Sequence, residues 1–199
     1  MNETQKLEGL CAGEYGDEYT KRCSTIDPRR DKFWSKIARD YHWANALEVG
    51  SNTGLNLLSL SKLMPAHNLT GIDVNLLALG KLKQLVPDVN AVRSVARDLP
   101  LKDSLFDLVF TSGVLIHQPR ATLPLVMKEV VRCSKRYVLC IEYFSEKPVE
   151  VPYRGVSPIF KCDYGQLYQE LFPELKLLDK GALCPDDGFD ESNWWMFLK

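Results

Sequence analysis

Apolar positions in this chain alternate between short unbroken runs and stretches spaced three or four apart, a pattern that predicts buried strands and amphipathic helices in turn. Ala46, Leu47 and Val49 form a strand that breaks at Gly50-Ser51-Asn52-Thr53-Gly54 and restarts as a helix carrying Leu55, Leu57, Leu58 and Leu60. That helix stops at Met64-Pro65, and Leu69 to Asp73 is a second strand. Asn75 can cap the next helix, which turns Leu76, Leu77, Leu79, Leu82 and Leu85 inward and is stopped by Pro87. Val89 to Val95 is a third strand, and Leu105 to Thr111 is apolar enough for a strand buried on both faces. A helix from about Arg120 to Arg132 presents Leu123, Val126, Met127 and Val130, and Arg136 to Phe144 is a fifth strand.

Both ends depart from this alternation. Upstream, in the segment Glu3 to Cys23, Tyr15 and Tyr19 share one helical face, as an amphipathic helix over the sheet edge would place them. Asp27-Pro28 supplies an N-cap and a first-turn proline for a core-packed helix with Phe33, Trp34, Ile37, Ala38 and Tyr41. Downstream, Glu142 to Asp163 carries Pro148, Pro152, Gly155 and Pro158 and has no sustained period. A connection this long is expected to be functional, and Tyr143, Tyr153, Arg154, Phe160 and Lys161 suit it to cover a substrate. Asp163 and Gln166 form a capping box ahead of Leu167, Tyr168, Leu171 and Phe172. Leu175 to Asp179 and Asn193 to Leu198 then read as an antiparallel pair, with Trp194 and Trp195 on opposite faces, one for the core and one free to face a pocket.

Composition narrows the function classes. A chain of 199 residues, 45% hydrophobic, supports one well-buried core and predicts a single domain. Its formal net charge of -1, from 25 basic and 26 acidic residues, supplies no general attraction to nucleic acid or to an anionic membrane. Neither a membrane-spanning run nor the basic and apolar regions of a signal peptide are present, so the expected location is the cytoplasm. Cysteines at 11, 23, 133, 140, 162 and 184 contain no C-x-x-C pair, and only three histidines are present, so no metal centre is expected.

The candidate chemistry starts at the glycine turn. Gly50 and Gly54 leave backbone open to a ligand, and N–H groups at the following helix start would favour an anionic group, although a plain tight turn would read the same way. Glu48 precedes the turn, and Asp73 ends the next strand about 20 residues beyond the glycines, where an acid can accept from ribose hydroxyls. Asn52 stands where a dinucleotide fingerprint needs a glycine, and the third glycine is absent, so a nucleoside with a small zwitterionic tail fits better than a pyrophosphate. After the strand Leu105 to Thr111 comes Ser112-Gly113-Val114-Leu115-Ile116-His117. His117 is either a packed histidine or a catalytic one.

With Glu48, Gly50, Gly54, Asp73 and the stretch LPLKDSLFDLVFTSGVLIHQP, the chain resembles the class I S-adenosylmethionine-dependent methyltransferases. The stretches GEYGDEYTKR and EYFSEKPVEVPYRG are similar to the pseudaminic acid biosynthesis-associated methylases within that class, and the resemblance runs from Gly13 to Lys199. It implies a Rossmann-like α/β fold: a seven-stranded, mostly parallel sheet with helices on both faces and an antiparallel last strand. It also divides the chain into a helical lid (1–42), a cofactor core (45–143), a substrate-cover insertion (144–162) and a C-terminal helix with a strand pair (163–199). S-adenosylmethionine is the implied cofactor and S-adenosylhomocysteine the product. Implied cofactor contacts are Glu48, Gly50, Ser51, Asn52 and Gly54 in the turn, Asp73 and Val74 after the second strand, Ala96, Arg97 and Asp98 around the adenine, and Thr111, Ser112 and Gly113 in the later motif. Tyr15, Tyr19 and Arg22 would close over them from the lid. One departure stands out: Val95 occupies the place of the acid that commonly holds the adenine amino group.

For chemistry, His117 and Tyr143 are the candidate catalytic residues, and Tyr153, Arg154 and Trp194 the candidate substrate contacts. The expected reaction is in-line attack by an oxygen or nitrogen nucleophile of a small, acidic or phosphorylated acceptor. The family name implies an acidic nonulosonic sugar or its nucleotide-linked form. Methylation of another metabolite, of RNA or of protein, and a non-catalytic cofactor-binding module, are the alternatives; balanced charge argues against RNA.

Overall fold

Helices α1 (Glu3–Ala12), α2 (Glu14–Arg22) and α3 (Arg30–Asp40) lead into an open sheet in the computed structural model, which describes residues 3–153 and 158–199. The chain then alternates through β1 (Ala46–Val49), α4 (Leu55–Ser61), β2 (Leu69–Asp73), α5 (Leu76–Leu85), β3 (Asn90–Arg93), β4 (Phe106–Ser112), α6 (Leu123–Cys133) and β5 (Ser134–Glu142). A separate hairpin, β6 (Val149–Val151) and β7 (Ile159–Lys161), precedes α7 (Tyr164–Leu171), β8 (Lys176–Leu183) and β9 (Ser192–Leu198).

The main sheet has seven strands in the order β3-β2-β1-β4-β5-β9-β8. The first five are parallel, and β9 runs antiparallel between β5 and β8. From β1 the chain winds out to β3 and returns on the other side at β4, so the order reverses between β1 and β4. Ligands in open α/β sheets bind at that reversal, beyond the carboxyl ends of the strands; here those ends are Gly50 and Gly113.

Alternate residues of the central strands feed two cores. Leu47, Val49, Val109, Trp195 and Phe197 pack with Val126, Met127, Tyr164 and Tyr168 on one face. Leu108, Phe110, Trp194 and Met196 pack with Trp34, Ile37, Leu57 and Leu82 on the other. Helix α3 forms because Phe33, Trp34 and Ile37 recur on one side, and all three are buried. Asn75 caps α5 as expected, its side chain accepting from the Ala78 N–H at 2.8 Å. Among the described residues no helix is long and apolar enough to cross a membrane.

Several boundaries differ from the sequence expectation. Asp27 does not cap α3: its carboxylate is taken by the backbone N–H of Arg29 at 3.0 Å and by the Arg29 guanidinium at 2.6 Å, and the helix begins at Arg30. Leu76 and Leu77 are exposed, because a helix resting on a sheet buries one stripe and Ala78, Leu79 and Leu82 fill it. Asp163 accepts from the Gln166 N–H at 2.9 Å, but the Gln166 side chain turns to Glu170, so only half of the capping box forms. The region expected to be irregular contains the β6–β7 hairpin, whose three-residue strands are too short to show a period. Strand β8 extends to Leu183 beyond the expected Asp179, with a register shift between Leu177 and Asp179.

Candidate active site

A cavity of about 600 Å³ opens at the reversal point. Its floor is the turn after β1. Gly50 (φ 75°), Asn52 (φ 45°) and Gly54 (φ 81°) adopt left-handed backbone, and a Cβ on Gly50 would lie 2.4 Å from Val114 Cγ2. Glycine is therefore needed at 50 for the turn to meet the segment after β4. Most N–H groups of this turn are engaged within the protein. Those of Gly50 and Ser51 both donate to the Ile72 carbonyl at 2.8 Å, that of Asn52 to Asp73 Oδ2 at 2.8 Å, and that of Gly54 to the Ser51 carbonyl. With four of its five N–H groups, all but that of Thr53, engaged inside the protein, the turn offers little of an anion cradle, in keeping with the missing glycines of a pyrophosphate fingerprint.

Asp73 faces the cavity from the end of β2 with Oδ1 accepting from the Asn75 N–H at 2.9 Å. Burial raises its pKa above the ordinary aspartate value, against the pull of these backbone donors. Each oxygen keeps a lone pair for a further donor.

Below the turn lies a polar cluster of which the sequence reading located Glu48 and Ser51. Asn56 Nδ2 donates to Glu48 Oε1 at 2.7 Å, and Asn56 Oδ1 accepts from Arg30 Nη1 at 2.9 Å and from Trp34 Nε1 at 3.3 Å. Glu48 Oε2, Arg30 Nε, Ser51 Oγ and Thr53 Oγ1 are buried and have no partner within the protein, although all four residues line the cavity. Burial pushes Glu48 up to about 8 and lowers Arg30. Buried polar atoms are normally hydrogen-bonded, so a group of orphans around one cavity points to a ligand. The signal for Asn56 was visible as a lone amide within the leucine-rich stretch that follows Gly54; Arg30, 18 residues before Glu48, gave none.

Helices α1 and α2 roof the cavity with Thr4, Leu7, Cys11, Tyr15, Tyr19 and Arg22 among others. Thr20 Oγ1 donates to Asn52 Oδ1 at 3.1 Å, Asn75 Nδ2 donates to the Cys11 carbonyl at 3.1 Å and to Asp17 Oδ1 at 2.8 Å, and Arg97 pairs with Glu8 at 2.7 and 3.1 Å. Gly16 sits so tightly against the Cys11 carbonyl that a Cβ there would lie 1.7 Å from it, which explains the glycine between two aromatics.

The opposite wall comes from the segment after β4 and from β5. Ser112, Gly113 and His117 line the cavity, with Tyr143, Tyr153, Asp190 and Ser192. His117 ends a short 3-10 turn (Leu115–His117), and its ring meets Tyr19 at 6.2 Å and Tyr153 at 5.9 Å between centroids, both edge-on. Burial alone depresses His117 to about 4, so the imidazole is neutral at pH 7. Tyr143 donates to Asp190 Oδ2 at 2.7 Å, and burial with this bond raises its phenol. Asp190 was not expected in the site; it reaches the cavity from the β8–β9 connection, a placement set by the sheet and not by local sequence.

Val74, Val95 and Ala96 also border the cavity, at the end reached by β2 and β3. Other candidates stand elsewhere. Gly54 is the left-handed N-cap of α4, its space filled by Leu82, and is not in the cavity wall. Arg97 is engaged with Glu8 and, with Asp98, stands outside that wall. Thr111 is fully buried within β4. Trp194 is core, edge-on to Phe33 at 5.7 Å and under Lys36, and its partner in the expected division of faces, Trp195, is core as well. Both faces of β9 are covered, by α3 on the Trp194 side and by α7 on the Trp195 side. Arg154 lies outside the described residues.

Residues 46–136 match the family model of a methyltransferase domain. No curated protein matches the sequence. The fold is similar to that of 1,6-didemethyltoxoflavin-N1-methyltransferase of Burkholderia thailandensis, solved with 1,6-didemethyltoxoflavin and S-adenosylhomocysteine, at a TM-score of 0.76 and 13% identity over 100% of this chain and 91% of that one. Magnesium protoporphyrin IX methyltransferase of Synechocystis PCC 6803, with bound S-adenosylmethionine, is similar at 0.74 and 12% identity, over 100% and 98% of the chains. The 4+2 cyclase SpnF is similar at 0.64 and 16%, over 85% and 81%. Likeness at these identities is likeness of fold, and the presence of a cyclase shows that the fold does not by itself set the chemistry.

Proposed function

We propose that this chain, whose residues 46–136 match the model of a methyltransferase domain, binds S-adenosylmethionine in its cavity and directs methyl transfer to a small polar acceptor beside His117. The observation that carries the reading is the set of buried, unpartnered polar atoms around one cavity, Glu48 Oε2, Ser51 Oγ and Arg30 Nε. An α-amino-acid tail matches them: its ammonium suits Glu48 and its carboxylate suits Arg30. Asp73 then accepts from the ribose hydroxyls with the lone pairs that Asn52 and Asn75 leave free. Val95 and Ala96 flank the adenine with apolar surface, and backbone groups serve in place of the acid that Val95 replaces.

Bound in this way, S-adenosylmethionine supplies a methyl group already activated by its sulfonium. The protein's part is to orient the acceptor and exclude water, which α1 and α2 do by roofing the cavity. His117, neutral at pH 7, stands where an imidazole nitrogen can take the proton of an attacking hydroxyl; burial makes it a weak base, so its contribution falls toward the low end of the typical ~10²–10⁴-fold. Tyr143, its phenol raised and bonded to Asp190, stays protonated and orients the acceptor.

For the acceptor, we favour an acidic sugar or its nucleotide-linked form. Arg22, exposed at the cavity edge with the Tyr19 ring 5.9 Å away, supplies a cation for a carboxylate or phosphate, and Tyr143 and Tyr153 supply ring faces. A second reading is a flat heteroaromatic acceptor, favoured by the three rings of Tyr19, His117 and Tyr153. Mass spectrometry after incubation with methyl-labelled cofactor and a panel of acidic sugars, their nucleotide-linked forms, heteroaromatics and RNA separates these. Methylated RNA alone would overturn the small-acceptor reading, and methylated heteroaromatics alone the sugar. With the acceptor found, unchanged turnover of His117→Ala at neutral pH would remove the base.

A further inference from the structure

Two carboxylates among the described residues are almost completely buried, and only Glu48 has a place in the scheme above. The other, Glu142, ends β5 with no exposed surface. Its Oε1 accepts from the backbone N–H groups of Val114 (3.0 Å) and Leu115 (3.1 Å), and its Oε2 from that of Ile116 (3.3 Å). These amides open the 3-10 turn that ends at His117. Just before it, Gly113 takes a left-handed φ of 66° and its N–H donates to the Ile141 carbonyl at 2.9 Å. Val114 is also the residue packed against Gly50. One short turn therefore abuts the glycine loop through Val114 and carries His117, and a single carboxylate grips three of its amides.

We infer that Glu142 is a positioning residue for the proposed reaction: by clamping the amides of Val114, Leu115 and Ile116 it fixes where His117 stands relative to the glycine loop. The inference rests on the methyl-transfer reading of the cavity. Hydrogen bonds to an ionised acceptor are about twice as strong as neutral ones, and three of them leave a short turn little room to shift. Misplacing a reacting group by about 1 Å can cost ~10²-fold in rate. The groups facing the carboxylate are Thr111 of β4, Cys140 and Tyr143 near it on the chain, Cys162 after β7, and Tyr164 and Tyr168 of α7. None of these is a cation, so the backbone amides, with the Thr111 hydroxyl, are what hold the charge. Burial pushes Glu142 up to about 7, which makes the strength of the clamp depend on pH near neutrality.

Nuclear magnetic resonance of isotope-labelled protein saturated with S-adenosylhomocysteine, comparing the native chain with Glu142→Gln, tests this. In the variant the three amides should exchange with solvent faster by roughly tenfold, one net hydrogen bond, with β4 unaffected and the His117 ring signals moved or broadened. In the native protein the same amides should titrate together with a midpoint near 7, and that titration should vanish in the variant. A folded variant with native exchange and native His117 signals would overturn the inference. Should that variant not fold, Glu142→Asp, one methylene shorter and unable to reach all three amides, is read in the same way, and native exchange with native His117 signals there would equally overturn the inference. With an acceptor in hand, kcat should fall about tenfold in the variant while the cofactor KM stays within about threefold; equal loss in both would reduce Glu142 to a structural role and overturn the proposal. Calorimetry keeps the two readings apart. No binding of S-adenosylhomocysteine to the native protein would sink methyl transfer, whereas the exchange comparison can still be read in ligand-free protein.

Discussion

Replacing Glu48 by glutamine should strengthen the ligand-free protein and weaken cofactor binding. Burial raises this carboxyl from an ordinary value of 4.5 to about 8. At about 1.4 kcal/mol per pH unit, its ionised form is roughly 5 kcal/mol less favourable inside the fold than in the unfolded chain. The sign follows from proton uptake: between these two values the native state holds a proton that the unfolded state has lost, so stability falls as pH rises. The cost is absent below pH 4.5, complete above about 8, and roughly 3 kcal/mol at pH 7. Glu48→Gln keeps an acceptor for Asn56 and cannot ionise, so urea unfolding should show it more stable than the native chain by up to about 3 kcal/mol at pH 7 and by little at pH 5. The ligand's ammonium reverses the balance by stabilising the carboxylate. Binding of S-adenosylhomocysteine at pH 7 should therefore release about nine-tenths of a proton, read by calorimetry in buffers of low and high ionisation enthalpy. The variant should bind ~10–10²-fold more weakly and release none through this residue. A variant less stable than the native chain at pH 7, or proton release undiminished by the substitution, would refute the reasoning.

Three further outcomes are expected. Asp73→Asn should weaken S-adenosylhomocysteine binding by ~10²-fold in calorimetry, because charge-assisted bonds to two ribose hydroxyls are lost; a change under about threefold would remove Asp73 from the ribose. Trp34→Ala should lower unfolding free energy by about 3–5 kcal/mol in chemical denaturation, since the ring is fully buried, 4.8 Å from Phe110, and donates to Asn56; a loss under about 1 kcal/mol would contradict that packing. Glu8→Gln breaks a partly exposed pair with Arg97, worth at most about 1 kcal/mol, so stopped-flow dissociation of S-adenosylhomocysteine should quicken by a few-fold at low salt and match the native rate at high salt. An identical rate at low salt would mean that α1 is not held closed there.

Local pattern carried the frame of this protein. The runs at β1, β2, β4 and β5 and the leucine stripes between them are periodicities of neighbouring residues, and backbone geometry converts them directly into a doubly wound sheet. Gly50, Asp73 and His117 were legible for the same reason: each lies at or just after a strand's carboxyl end, and in such a sheet those ends converge. Residues whose role depends on contacts across the chain were not. Asn56 and Arg30 meet Glu48 only because α3 packs beside α4, Asp190 enters because β9 is inserted between β5 and β8, and Glu142 clamps a turn 28 residues before it. Arg97 and Trp194 looked available by position but are claimed by Glu8 and by the aromatic core. Periodicity records which face a side chain takes; which partner waits on that face is set by packing between distant segments, and packing here decided which polar atoms stay unpaired for a ligand.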